Sequence, residues 1–290
     1  MTKFQGTVIG VVAALTLGLY ALTQDHLFGS KKTTSTTVSH SADDGHNHGD
    51  ESASLSTDTI LLQARATLSP PQRDRLTFLE NSITRGDVAD QKVHLYHRLA
   101  AFWRDTGRLF EPFAWYTGEA ARLENSEKSL TFAAHLFLNN LRTEEDPALK
   151  NWKASQAKDL FERSLKLDPA NDSSQVGLGA TYLYGGMASP MEGILKIRGV
   201  AERDSTNIYA QLTLGEASMI SGQLDKAAER YRKVVRLDPS NVQALFALAD
   251  VYERMGNKKE AVAWYQKTLP LIPIPGYRKE VENRIEQLKR

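Results

Sequence analysis

The chain has 290 residues, 41% hydrophobic and 24% charged, proportions that suit one or two globular domains. Its 36 Lys and Arg against 35 Asp and Glu leave a formal net charge of +1, which excludes a nucleic-acid footprint or a strongly acidic surface as the organising feature. With no cysteine there are no disulfides, thiolate metal sites, cysteine nucleophile or lipidated cysteine.

Phe4 to Thr23 form an uncharged run rich in Val, Leu, Ile and Ala. A helix of about 20 residues spans roughly 30 Å, enough to cross the hydrocarbon core of a bilayer. Lys3 and the amino terminus would also open a cleaved signal peptide. The exit around Ala21-Leu22-Thr23 lacks the small-x-small pattern, however, and the run is longer than a usual signal core. Residues 1–28 therefore read as an N-terminal transmembrane anchor. The short polar head stays cytoplasmic while the rest of the chain crosses, which in a bacterium places the C-terminal domain outside the inner membrane.

Residues 29–57 read as a flexible linker with almost no large apolar side chain, a composition that cannot offset the entropy of ordering. His40, His46 and His48 stand there among Asp43, Asp44, Asp50 and Glu51. Such a tract could bind zinc or copper weakly, and a plain polar tether is the simpler reading.

From 58 to 290 apolar residues recur at three- and four-residue spacing, with no strand alternation, so the fold class is all-α. Breaks at Ser69-Pro70, Asp146-Pro147, Asp168-Pro169, Ser189-Pro190 and Asp238-Pro239 divide it into helices. Residues 58–92 are helical without further signal. One pair follows at 93–106 and 109–123, ending in the degraded signal Leu123-Glu124-Asn125-Ser126. A second pair begins with 127–141, separated by a 142–150 connection from the helix carrying Ala157, Phe161 and Leu165. The aromatics Phe102, Trp103, Phe110, Phe113, Trp115 and Tyr116 fall at helix-packing spacing and read as core.

Three units then repeat: 172–207, 208–241 and 242–275. Leu167-Asp168-Pro169-Ala170-Asn171 matches Leu237-Asp238-Pro239-Ser240-Asn241 and, more loosely, Arg203-Asp204-Ser205-Thr206-Asn207. Within them Leu178-Gly179, Leu214-Gly215 and Leu248-Ala249 occupy the first helices, and Gly193, Ala227 and Ala261 the second. This spacing resembles the tetratricopeptide repeat, a two-helix unit of 34 residues. Small residues let the helices of a hairpin approach, and Tyr231 and Tyr265 fill space toward the next one. The first unit is longer, with the excess expected between its helices at 184–190. Residues 276–290, with Val281, Ile285 and Leu288 on one stripe, read as a capping helix.

The resemblance implies an α-solenoid whose first helices line a partner-binding groove. Its positions carry over to Val176, Ala180, Leu183 and Tyr184, then Tyr209, Leu212, Glu216, Met219 and Ile220, then Gln243, Phe246, Asp250, Glu253 and Arg254. Val176 and Ala180 stand where the chaperone-binding members of the family carry a lysine and an asparagine, so a clamp for terminal carboxylates is not expected. A largely apolar groove with an acidic edge suits an amphipathic or extended apolar segment of another protein.

His94 and His97 share a helix face without a third ligand, and Gly177-Leu178-Gly179 lacks the third glycine and the preceding strand of a dinucleotide site. No catalytic residues, cofactor or metal are assigned, and the chain is not expected to be an enzyme. The expected function is a membrane-anchored scaffold for a partner protein, with no nucleic acid. Two alternatives stand beside it: a holder of unfolded apoprotein like the anchored repeat proteins of cytochrome c maturation, and a self-associating membrane scaffold.

Overall fold

The structure, a computed structural model, describes residues 55–84, 89–186 and 189–290, all of them helix, turn or loop. The expected anchor and the His-containing part of the linker lie outside the described residues. Among the described residues no helix is long and apolar enough to cross a membrane.

In chain order the helices are α1 (Thr57–Ala66), α2 (Pro70–Thr84), α3 (Ala89–Phe102), α4 (Phe110–Glu124), α5 (Glu127–Leu141), α6 (Pro147–Leu167), α7 (Asp172–Tyr184), α8 (Pro190–Arg203), α9 (Ile208–Ile220), α10 (Leu224–Leu237), α11 (Val242–Arg254), α12 (Lys258–Thr268) and α13 (Pro275–Lys289). A π-turn at Trp103–Gly107 extends α3, and a 3-10 turn at Leu269–Leu271 follows α12. Two compact units divide these elements, 52–213 and 214–290, and the division falls within α9.

Helix starts follow from local chemistry. Ser126 Oγ accepts from Ser129 N–H at 3.2 Å, and Asp146 Oδ1 accepts from Ala148 and Leu149 N–H at 2.8 and 3.0 Å. These side chains satisfy amides that a helix N-terminus leaves without intrahelical partners. Because Asp146 caps α6, with Pro147 in its first turn, the connection after α5 spans 142–146, shorter than the 142–150 read from sequence. The folded chain also starts earlier than residue 58. Ser56 caps α1, Leu55 packs on the core, and Trp152 Nε1–H donates to Thr57 Oγ1 at 2.9 Å.

The Asp-x-x-Asn signal proves to be a connector with one geometry used three times. Asp168, Asp204 and Asp238 accept from the amides of Ala170, Thr206 and Ser240 at 3.0, 2.8 and 3.1 Å. Asn171, Asn207 and Asn241 then cap the next helix, accepting from Ser174, Ala210 and Ala244 at 2.7, 3.0 and 3.0 Å. The pair stops one helix and starts the next within a single turn.

In the unit 52–213 the helices pack as antiparallel neighbours: α3 with α4, α5 with α6, and α7 with α8. One cluster holds Leu130, Phe137, Leu160, Phe161 and Leu178; another holds Leu76, Leu99, Phe102 and Trp103. Lys153 is buried between Glu111, at 2.9 Å, and Glu144, its ammonium 5.3 Å from the Phe110 ring centre. Burial works against the Glu144 charge, but the Lys153 hydrogen bond and backbone amides outweigh it and hold that carboxyl below the usual range. At the α5–α6–α7 junction Thr131, Ser164 and Ser174 form a hydroxyl triangle with sides of 2.8, 2.8 and 2.9 Å.

In the unit 214–290 a Cβ on Gly215 would stand 2.6 Å from the Tyr231 ring, so that tyrosine fills the space the glycine leaves. Tyr265 is buried with its ring 5.4 Å from Phe246, edge on, and its hydroxyl donates to Glu253 at 3.1 Å. Arg284 of α13 pairs with the same Glu253, while Val281 and Ile285 bury the apolar stripe of α13.

Two glycines bring the backbones of α7 and α8 together. A Cβ on Gly193 would meet the Gly179 carbonyl oxygen at 2.4 Å, and one on Gly179 would meet the Gly193 oxygen at 2.6 Å. Backbone cannot move aside as a side-chain tip can, so Gly193→Ala should destabilise the fold by about 2–3 kcal/mol. Gly199, in the same helix, has open space for 4 Å around the position a Cβ would take, and Gly199→Ala should stabilise by roughly 0.5–1 kcal/mol. Urea unfolding followed by circular dichroism checks both signs.

Candidate partner-binding surface

The sequence-predicted groove separates into core, engaged and accessible residues. In the unit 52–213, Val176, Ala180 and Leu212 are buried. They belong to stretches buried on every side, Val176 to Tyr182 of α7 and Ala210 to Thr213 of α9, as in an internal rather than a half-solvated helix. Leu183, Tyr184 and Tyr209 are half-buried. The Arg142 guanidinium lies 4.5 Å from the Tyr184 ring centre, and the Tyr209 ring leans on His135 at 5.6 Å.

In the unit 214–290, Phe246 is buried under Tyr265 and offers no groove surface. Glu216 accepts from Gln243 Nε2–H at 3.0 Å, and Asp250 pairs with Arg254 at 3.1 Å. Glu253 is occupied by Arg284 and Tyr265, so its carboxylate fastens α13. Met219 is half-buried and Ile220 exposed. Of the groove positions read from sequence, Val176, Leu212 and Phe246 are thus buried and Glu253 is paired with Arg284.

His135 is the centre of a further cluster. Its Nε2 lies 2.8 Å from Ser173 Oγ, and its ring meets Phe161 edge on at 5.0 Å. Burial, with a smaller push from Arg142, lowers its pKa from 6.5 to about 4. A Ser–His contact is the start of a nucleophile–base pair, but an imidazole this weakly basic is a poor proton acceptor at neutral pH. The cluster ties α5, α6, α7 and α9 together instead.

The exposed aromatic surface lies elsewhere, on the hairpins before residue 172. Phe132 on α5 is 63% exposed beside a concavity of about 180 Å³. Ala100 and Ala101 of α3 and Phe113 and Thr117 of α4 line it, and His97 with Glu124, 2.6 Å apart, close its rim. The second histidine of the sequence pair, His94, is exposed, and no group of three or more metal-ligating side chains occurs among the described residues. The groove positions carried over from the repeat pattern begin at residue 172 and so do not reach Phe132. One sequence signal points to it: Phe132 and Leu136 form an apolar i, i+4 pair beside the buried stripe Leu130, Ala133, Ala134 and Phe137.

His135 binds a proton more readily unfolded than folded, so its contribution to stability is complete above about pH 6.5 and is lost as pH falls toward 4. At pH 5 the loss should be about 2 kcal/mol relative to pH 7.5. The His135→Asn variant should be less stable at pH 7.5 and should lack that part of the pH dependence. Urea midpoints of both proteins at the two pH values test this.

Residues 212–273 match the tetratricopeptide repeat family model. Over 212 residues the chain is 26% identical to human protein O-mannosyl-transferase TMTC1, a match that takes in 69% of this chain and spans only 22% of that protein. Among solved structures, a tetratricopeptide repeat protein from Parabacteroides merdae superposes with a TM-score of 0.53 at 13% identity, covering 80% of this chain and 86% of the other. A thermophilic tetratricopeptide protein from Thermus thermophilus has a TM-score of 0.49 at 17% identity, covering 68% and 98% of the two chains. Among the described residues the chain is all helix, turn and loop, and its residues 212–273 match the tetratricopeptide repeat family.

Proposed function

We propose that the chain is a membrane-tethered scaffold that holds a segment of another protein on the surface around Phe132. The observation that carries this reading is Phe132 itself, 63% exposed beside a small-residue concavity formed by Ala100, Ala101 and Thr117. A large aromatic ring in water at the mouth of a recess is a binding feature more than a packing feature. The repeat architecture supports it, because stacked hairpins present continuous faces for extended or helical ligands.

The tethering rests on the composition of residues 4–23, and the polar stretch after them supplies the reach. In this reading the anchor fixes where the partner is held and contributes nothing to its recognition. Deleting residues 4–23 should move the protein from the membrane pellet to the soluble fraction after carbonate washing. Retention in the pellet would remove the anchor from the proposal.

The recognition surface is tested by photocrosslinking in native membranes, with a diazirine amino acid in place of Phe132 and, as control, of buried Phe246. A distinct protein adduct from position 132 and none from 246 is the expected outcome. Adducts only to copies of the same chain would replace the adaptor reading with self-assembly.

A further inference from the structure

Resting on that reading, we infer that the held segment is acidic, an internal stretch in which aspartate or glutamate flanks an aromatic or leucine anchor. The Phe132 concavity continues across Ala101, which lines it on one side and on the other lines a second recess of about 320 Å³ between α2 and α3. That recess is bounded by Arg75, Phe78, Arg98, Phe102 and Asp105. Phe78 is 67% exposed, so the strip carries an exposed aromatic ring at each end.

The charges along the strip are unequal. Asp105 is held by Arg104, both oxygens accepting from the guanidinium at 2.8 and 2.9 Å, and Glu124 is held by His97. Arg98 is exposed and Arg75 rests on the Phe102 ring at 6.0 Å; neither has a carboxylate partner among the described residues. Two guanidinium groups from two helices therefore line one recess whose carboxylate, Asp105, is already paired with Arg104. A guanidinium fork pairs best with a carboxylate, bidentately, and is weakly enough hydrated to do so against an aromatic surface. A basic or neutral ligand would leave both forks unmatched, whereas an acidic one neutralises them while its apolar side chains cover Phe78 and Phe132. The site lies partly on α2, outside the repeats, and involves side-chain carboxylates of an internal segment rather than a chain terminus.

The test is selection of a random peptide library, displayed with its C-termini fused, on the full-length protein in detergent micelles. Affinity of the leading fluorescent peptide is then measured for the wild type, Arg98→Glu, Phe132→Ala and, as control, Leu195→Ala. All three positions are exposed, and circular dichroism checks that each variant folds. The expected result is an acidic motif with an aromatic or leucine anchor, bound about tenfold or more weakly by Arg98→Glu and by Phe132→Ala and equally by Leu195→Ala. A motif without acidic residues, or an acidic one indifferent to Arg98→Glu, overturns the inference; if that motif still depends on Phe132, the scaffold reading stands without it. A selection that enriches no motif overturns both.

Discussion

Each two-helix unit here leaves apolar surface that it cannot bury by itself, and everything else in the structure answers that constraint. The answer within a hairpin is close approach. Gly179 and Gly193 bring two backbones together where even a methyl group would collide with a carbonyl, and Gly215 leaves room for the Tyr231 ring. The answer between hairpins is a rigid turn. Asp168–Asn171, Asp204–Asn207 and Asp238–Asn241 supply the same pair of side-chain hydrogen bonds each time, so each turn ends one helix and caps the next in the same way.

Polar groups enter this packing only where they are mutually satisfied. The hydroxyls of Thr131, Ser164 and Ser174 close on one another, and Lys153 has two carboxylates and an aromatic face around it. Removing one member of such a group leaves the others buried without partners, which costs more than the group itself contributes. These clusters pin the junctions among α4, α5, α6 and α7 at particular registers, where apolar contacts alone would tolerate sliding.

Helix positions, the connectors and the stripe of the last helix are legible in the sequence because they depend on local chemistry: capping side chains, proline and spacing. The accessible surface is not. Periodicity identifies the apolar face of a helix, but whether a neighbour covers it depends on residues far along the chain. Phe246 lies at a position that the repeat pattern assigns to a groove and is covered by Tyr265; Glu253 lies at another and is taken by Arg284. Phe132 escapes notice for the converse reason, since nothing in its own segment says that no ring packs over it. The Arg75–Arg98 pairing across α2 and α3 joins a segment with no repeat signal to one with a weak signal, and only the folded hairpin brings the two side chains to one recess.

The chemical sameness of the three connectors has a consequence for how the chain reaches its fold. Because each stops one helix and starts the next with bonds spanning only a few residues, no distant strand or loop has to arrive before a turn can set. Contacts between sequence neighbours form quickly and incur little loop-closure entropy. A nascent chain emerging from a ribosome can therefore lay down hairpins in the order of synthesis, each finished hairpin serving as the template on which the following one condenses.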